Sequence, residues 1–403
     1  MRHLVAVTIA ATHPPRRGGQ VRTASLLANL GEAWSVASYS LAFQRSDLPF
    51  PRRDHPVTKR WTDHRTRDPF TTAWYAARGR SGRPPLNVER VLWAWPHRAL
   101  VRSLASADVV MVELPYQYRW VRRHTPPSVP IVVDEHDIET QLHANTSDPQ
   151  QLEAVTRCER EALGDAGLVF VTSDADADAA RAIGASRVVV VRNGVDLRRF
   201  RPVATEERVE LRQRLGLSPN RTVALFCGSA HPPNVEAVVD IERSADAYAA
   251  SGIDVVVVGR CGAGRRSRIG VSYLGEVPDT LPYLQAADIA LSPLRSGAGT
   301  SLKVVEYLAA GLPVVATEMG VRGLGLRPGI EVELTAADDT PATVAALAGD
   351  PDRTARLAAA GRAVAKQRFG WDSIGRTAAA ALERLTTSPD GSRRREMPAP
   401  RIP

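Results

Sequence analysis

The sequence predicts an α/β protein made of two parallel sheets, each covered by helices. Three observations lead there. Short apolar runs of strand composition alternate with helical patterns almost throughout the 403 residues. The series starts twice, at Leu4 and again at Thr222, and the halves read as two similar βαβ domains without a short internal repeat. Glycine-rich loops also follow strand ends in both halves, and folds of this class bind ligands outside the carboxyl ends of their strands.

In the first half, strands are expected at 4–10, 36–43, 109–113, 130–134, 168–172 and 188–192. Helical patterns lie between them at about 20–30, 87–106, 149–165 and 174–183. The turn Arg192-Asn193-Gly194-Val195-Asp196 and a charged connection through Pro202 lead into the second half. Its strands are expected at Thr222 to Cys227, 254–258, 271–274, 289–293, 313–317 and 331–335. Residues 44–86 resist the scheme, being rich in Arg, Pro, Asp and Thr. Five of the seven tryptophans fall between 61 and 120 (Trp61, Trp74, Trp93, Trp95, Trp120), with Phe70, Tyr75, Tyr116 and Tyr118 among them. Either these aromatics pack the excursion onto its domain or they form an acceptor pocket or membrane-surface contact. The Pro- and Arg-rich tail 388–403 is expected to be disordered.

Bulk properties narrow the function. Hydrophobic content of 44% and charged content of 24% are those of an ordinary globular protein. No run of eighteen apolar residues occurs, so no transmembrane helix is expected. Leu4 to Ala10 reads as a first strand, not as the core of a signal peptide. Three cysteines without metal spacing fit a reducing cytoplasm. The net charge is +8, but residues 1–130 hold 20 Lys+Arg against 8 Asp+Glu, so the excess belongs to the first half. Nucleic-acid motifs are lacking, which leaves an anionic membrane surface or a phosphorylated substrate as the partner of that field.

The most informative stretch is Pro293 to Thr317. A strand ends, a loop rich in glycine follows (Ser296 to Gly299), and a helix opens with Thr300 or Ser301 as N-cap. Gly311 closes the helix and Pro313 starts the next strand. Small residues feeding a helix N-terminus offer free N–H groups and a positive dipole end to phosphate. Lys303 and Glu306, three apart, share one face of an otherwise apolar helix, with Leu302, Val305 and Ala309 toward the core. A cation by the loop and a carboxylate one turn on suit a diphosphate and a ribose; the alternative is a solvated ion pair.

Other candidates sit at other strand ends. Gly18-Gly19, between the first strand and its helix, would let the backbone approach a ligand. Asp134-Glu135-His136-Asp137 ends a buried-looking strand. Neighbouring side chains there point to opposite faces, so they do not all ligate one metal. His136 is the expected inward group, neutral or charged, oriented by Asp134 or Asp137. Two patterns are decoys. Asp174, Asp176 and Asp178 start a helix after Ser173, where acids favour the dipole. The Gly259–Gly264 loop continues into Arg265-Arg266-Ser267-Arg268 and not an apolar helix, which argues against a dehydrogenase, although Arg260 is expected to face the ligand cleft.

Taken together, Pro293-Leu-Arg-x-Gly-x-Gly-Thr-x-Leu-Lys-Val-x-Glu306, Ala310 to Thr317, Gly18-Gly19, Asp134 to Asp137, Asn193 to Asp196 and Phe369-Gly370-Trp371-Asp372 resemble a retaining GT-B-fold glycosyltransferase of family 4, the group-1 type. The resemblance implies two Rossmann-like domains facing across a cleft. The first, 1–195, would sit on the acceptor side and be joined by a final helix at about 371–387; the second, 196–370, would hold the donor. It implies sugar transfer from a nucleotide-diphosphate sugar, with no cofactor and no metal. Glu306 would hold the ribose, and Lys303 with Gly299 and Thr300 the diphosphate. Gly19, with Gly18, would close over that diphosphate, His136 would touch the donor sugar, and Gly228 and Ser229 would line the site. The acceptor is expected to be anionic or lipid-linked, at the cytoplasmic face of a membrane. Two departures stand out. Where many relatives have the first Glu of E-x7-E this chain has Ala298, and Ser229 to Asn234 lacks the usual Arg and Lys, leaving Lys303, with Arg295 or Arg260, as the cationic clamp. The competing functions are a GT-B-fold nucleotide-sugar epimerase and a binding protein that has lost the chemistry.

Overall fold

A computed structural model describes residues 1–10, 12–15, 18–42, 54–65, 86, 92, 97–144 and 148–387. The chain divides into two compact units, Met1–Arg192 with Trp371–Pro403, and Asn193–Gly370. The tail 388–403, most of 44–86 (including Phe70, Trp74 and Tyr75), and Trp93 and Trp95 lie outside the described residues.

Among the described residues the first unit carries eight strands: β1 (His3–Ala10), β2 (Ser35–Ala42), β3 (Asp54–Thr58), β4 (Trp61–Arg65), β5 (Val109–Glu113), β6 (Ile131–Asp134), β7 (Leu168–Val171) and β8 (Val188–Val190). Their order is β3-β4-β2-β1-β5-β6-β7-β8, parallel except for β3 against β4. Because helices cover both faces, β5, β6 and β7 are buried at every position, as their continuous apolar runs require. The final helix, Trp371–Thr387, belongs to this unit. It buries Trp371, Ile374, Ala378 and Leu382 beside Leu26, Leu27 and Leu30 of the helix Gly18–Leu30.

The hairpin β3–β4 is a correction to the sequence reading, which assigns no strand to 44–86. Its pattern is hard to read because β3 holds Pro56 at the sheet edge and β4 buries an acid. Asp63 is fully buried and accepts a bond from the Ser38 hydroxyl at 2.7 Å, while Trp61 Nε1 donates to that same hydroxyl at 2.9 Å. Trp61, Tyr116, Tyr118 and Trp120 are all buried, so the described aromatics pack the domain. The expected helix at 87–106 is described as Arg98–Ala105.

The second unit has six parallel strands: β9 (Thr222–Cys227), β10 (Ile253–Val258), β11 (Val271–Gly275), β12 (Ile289–Ser292), β13 (Val314–Ala316) and β14 (Glu333–Leu334). They run in the order β11-β10-β9-β12-β13-β14. Asn193 to Val195 were assigned to the first domain from sequence but belong here: Val195 bridges Gly370, and Asn193 bonds Thr300. The ends of β9 and β10 meet backbone to backbone. Gly228 N donates to Val258 O at 2.9 Å, and Gly259, at φ +104°, lies so close that a Cβ would stand 2.2 Å from Gly228 O. Gly259→Ala should therefore destabilise the protein by more than about 2 kcal/mol, through both the positive φ and the backbone clash. A urea midpoint equal to that of the parent chain would contradict this account of the turn.

Candidate functional site

In the second unit the site is built on the helix Leu302–Ala309. Ser301 occupies the N-cap position with extended backbone, as expected, yet its side chain makes no capping bond, and its Oγ is buried without a partner among the described residues. Thr300 does not substitute for it, because its Oγ1 accepts from Asn193 Nδ2 at 2.7 Å. The first intrahelical bond runs from Val305 N to Ser301 O at 3.4 Å. The N–H groups of Leu302, Lys303 and Val304 thus stay open at the positive end of the helix. Gly299, at φ +64°, brings the chain to this point, and its carbonyl accepts from Arg322 at 3.3 Å.

Lys303 and Glu306 lie half-buried on the face that is left when Val304, Val305, Tyr307, Leu308 and Ala309 are buried. Leu302, expected in the core, is also half-buried. The two ionisable groups do not form the solvated ion pair that the sequence allowed. Lys303 Nζ donates to Asn234 Oδ1 and stands 4.4 Å from the centroid of the Phe226 ring. Burial lowers its pKa to about 8, against the opposing influence of Cys227, Cys261 and Glu306. Burial likewise raises Glu306 to about 7, an effect that Arg199 and Lys303 oppose and Asp279 reinforces. Each is a charge held partly out of water without a full counter-charge.

Around this pair, Asn234 Nδ2 reaches Ser229 O and Oγ at 3.3 and 3.4 Å, and so ties the lysine to the loop after β9. Gly228 is in close contact with that side chain: a Cβ would meet Asn234 Cβ and Cys261 Sγ at 3.0 Å. Arg260 follows in a short 3-10 turn, exposed and without a side-chain partner among the described residues. Arg295 is a correction. Expected in the cationic clamp, it is committed to two acids, with Nε on Asp240 at 2.6 Å and a second nitrogen on Asp338. His231 lies near Lys303 instead; partial burial and the lysine's charge both hold its imidazole below the ordinary range.

In the first unit, the helix starts at Gly18, so Gly18 and Gly19 both fall in its first turn. Gly19 faces His136: a Cβ would lie 3.1 Å from His136 Nδ1. The opposite nitrogen, Nε2, is 3.3 Å from Asp134 Oδ2, the orienting acid expected from sequence. Three participants were not identified from sequence. Arg22 and Thr23 sit one turn after Gly19, and Glu113 ends β5. The signal was an arginine inside an apolar helix and a carboxylate closing an apolar strand. Glu135 is buried with neither oxygen bonded, its pKa pushed well up by burial and by Glu159 and Glu139. The acids of the D-x-D pattern are engaged as a helix start: Asp176 accepts from Ser173, Arg192 holds Asp174 at 2.7 Å, and Arg181 holds Asp178 at 2.9 Å.

Two Rossmann-like parallel sheets, with a final helix returned to the first, define a GT-B fold. Comparison places the chain within that class. A model of the glycosyl transferase 4-like domain matches residues 17–194, and one of the glycosyl transferases group 1 matches 221–349. The chain belongs to the family 4, group-1 glycosyltransferases. It is 32% identical over 232 residues to a D-inositol 3-phosphate glycosyltransferase of Streptomyces scabiei, covering 52% of this chain and 50% of that protein. It is 29% identical over 214 residues to a GDP-mannose-dependent monoacylated alpha-(1-6)-phosphatidylinositol monomannoside mannosyltransferase of Corynebacterium glutamicum, covering 48% and 54%. The chain thus spans about half the length of the curated relatives it matches. Its fold resembles sucrose-phosphate synthase from Thermosynechococcus elongatus, with a TM-score of 0.76 at 18% identity, over 95% of this chain and 99% of that one.

The raised pKa of Glu306 makes a thermodynamic prediction. Between the ordinary carboxyl value of 4.5 and about 7, the folded protein holds a proton that the unfolded chain has lost. Stability should therefore fall as pH rises through this window. Partial exposure of the carboxyl keeps the effect to about 1–2 kcal/mol. Glu306→Gln should remove that part of the slope in urea midpoints recorded from pH 4.5 to 7.5; an unaltered slope would mean Glu306 is charged throughout.

Proposed function

We propose that the protein transfers a sugar from a nucleotide-diphosphate donor to an acceptor hydroxyl, with the nucleotide held by the second unit. One observation carries this reading: an uncapped helix N-terminus behind a glycine loop, with Lys303 and Glu306 on its accessible face. The open N–H groups and Lys303 suit the diphosphate. Glu306 suits the ribose, because a carboxylate short of hydrogen bonds gains most from a diol's two donors. Gly228, Ser229 and Arg260 line the loop ends beside Lys303. For Gly19 and His136 in the first unit we keep the role that the family resemblance implies, contact with the donor's phosphates and sugar. Charge developing on the leaving diphosphate would be met by Lys303 and the helix end, with no divalent metal required. Retention of configuration follows the family's pattern.

For the acceptor, we favour an anionic or lipid-linked molecule met at a cytoplasmic membrane face. The support is the positive balance of residues 1–130 and the names of the two relatives, one acting on an inositol phosphate and one on a phosphatidylinositol mannoside. No helix among the described residues is long and apolar enough to cross a membrane.

Titration calorimetry with UDP and GDP tests the nucleotide half. One of them should bind, with affinity highest between about pH 7 and 8, weakening below as Glu306 protonates and above as Lys303 loses its charge. Lys303→Ala should lower that affinity by about 100-fold, the loss of a charge-assisted contact, while leaving the fold intact by circular dichroism. Donor hydrolysis or transfer then separates a transferase from an epimerase, which would return an isomerised donor. A protein that binds nucleotide but consumes no donor, with or without acceptor lipid, would be the inactive alternative.

A further inference from the structure

Three buried ionisable groups, Arg22, Glu113 and Asp134, surround the part-buried His136 at the carboxyl ends of β5 and β6. His136 Nε2 lies 3.3 Å from Asp134 Oδ2, 3.3 Å from Thr23 Oγ1 and 3.8 Å from Glu113 Oε1. Asp134 is fully buried, and its other oxygen takes Arg22 Nη2 at 2.6 Å. Arg22 is itself 1% exposed, with Nη1 on Val191 O at 2.7 Å. Glu113 takes Ile9 N at 2.9 Å on Oε2 and the Thr23 hydroxyl at 3.1 Å on Oε1.

Counting charge and protons decides between the two states of the imidazole. Arg22 and Asp134 neutralise each other. If His136 were neutral, Glu113 would be either a buried carboxylate without a counter-charge or a protonated acid; if His136 is protonated, the cluster sums to zero with Glu113 ionised. Glu113 receives two N–H or O–H donors, which is how a carboxylate is held. Thr23 has a single hydroxyl proton, and directing it to Glu113 leaves its oxygen to accept from Nε2–H. Every group facing Nε2 therefore asks it for a proton.

We propose that Glu113 is a positioning residue which, with Asp134, fixes the proton on His136 Nε2, so that His136 meets the substrate as an imidazolium donating its Nδ1–H beside Gly19. In this state it is a cation and donor for a negatively charged or hydroxyl oxygen, and does not serve as a base. The inference rests on the proposed role of His136 at the donor sugar and its phosphates. The facing groups agree in sign. Burial and Arg22 draw the imidazole's pKa down, Asp134 and Glu113 draw it up, and the balance lies above the ordinary 6.5. Burial raises Glu113, and His136 pulls it back.

The test is nuclear magnetic resonance of the full chain with isotope-labelled histidine, His136 being assigned by its loss in His136→Gln. At pH 7 both ring nitrogens should carry protons, and the titration midpoint should lie above that of free imidazole. Glu113→Gln should shift the midpoint downward, and the pH at which donor turnover falls should move down with it. A neutral His136 ring at pH 7 in the parent protein overturns the proposal, whether or not the variant folds; so does an unchanged midpoint in folded Glu113→Gln. Absence of UDP and GDP binding would instead defeat the proposed function and leave the titration result standing.

Discussion

A parallel sheet covered by helices on both faces has no wet side, so ionisable side chains gather where strands stop, and one inside a strand, such as Asp63, needs a donor like the Ser38 hydroxyl to hold it. That constraint organises both units. β5 ends in Glu113, β6 in Asp134, β9 in Cys227 followed by Gly228, and β12 in Ser292 before the glycine loop. Each group placed there loses water, and the loss decides its charge unless a neighbour intervenes. Burial drives Lys303 down and Glu306 up. At Asp134 burial also pushes upward, but Arg22 and His136 outweigh it and hold the acid below the usual carboxylate range.

The two units handle these charges in opposite ways. In the first, the groups compensate one another: Arg22, Asp134, His136 and Glu113 form a closed set, tied further by Ile9, Thr23 and Val191. Such a set fixes geometry and has little left to give a ligand except the one nitrogen that points out, Nδ1. In the second unit the charges are left open. Lys303 leans on a neutral amide and an aromatic face, and Glu306 has no hydrogen-bond partner among the described residues. Open, desolvated charges of both signs, beside unfilled helix N–H groups, cost stability in the empty protein. A ligand bringing phosphate oxygens to one and hydroxyl donors to the other, as in the proposed function, would satisfy both.

How much of this could be read in advance follows from how local each signal is. The strands were legible because apolar runs bounded by turns need no partner to be recognised. Lys303 and Glu306 were legible because they interrupt an apolar helix behind a glycine loop, all within a few residues. The β3–β4 hairpin was not, since its buried Asp63 depends on Ser38 from another strand. Arg22 and Glu113 acquire meaning only from Asp134 and His136, far away in sequence. The same distance explains the error at Arg295, which looks free beside the loop but is held by Asp240 and Asp338. Asn234 entered the sequence reading only as the end of a stretch, Ser229 to Asn234, without the usual Arg and Lys; its amide turns out to join Lys303 to Ser229.

The departure at Ala298 takes on physical content in this setting. A glutamate there would add a side-chain acceptor to the rim of the loop. None of its neighbours supplies one: Arg295 is bound to two acids, Ser296 Oγ donates to Glu236 at 2.7 Å, and the Gly299 carbonyl accepts from Arg322. The loop thus braces itself against its own unit through the residues that flank position 298. Ala298 adds only a methyl group there, so the position has no side-chain acceptor where a carboxylate could accept two bonds. Under the proposed function the second unit would specify the nucleotide through Lys303, Glu306 and the open helix end, and discrimination among sugars would pass to groups outside the glycine loop.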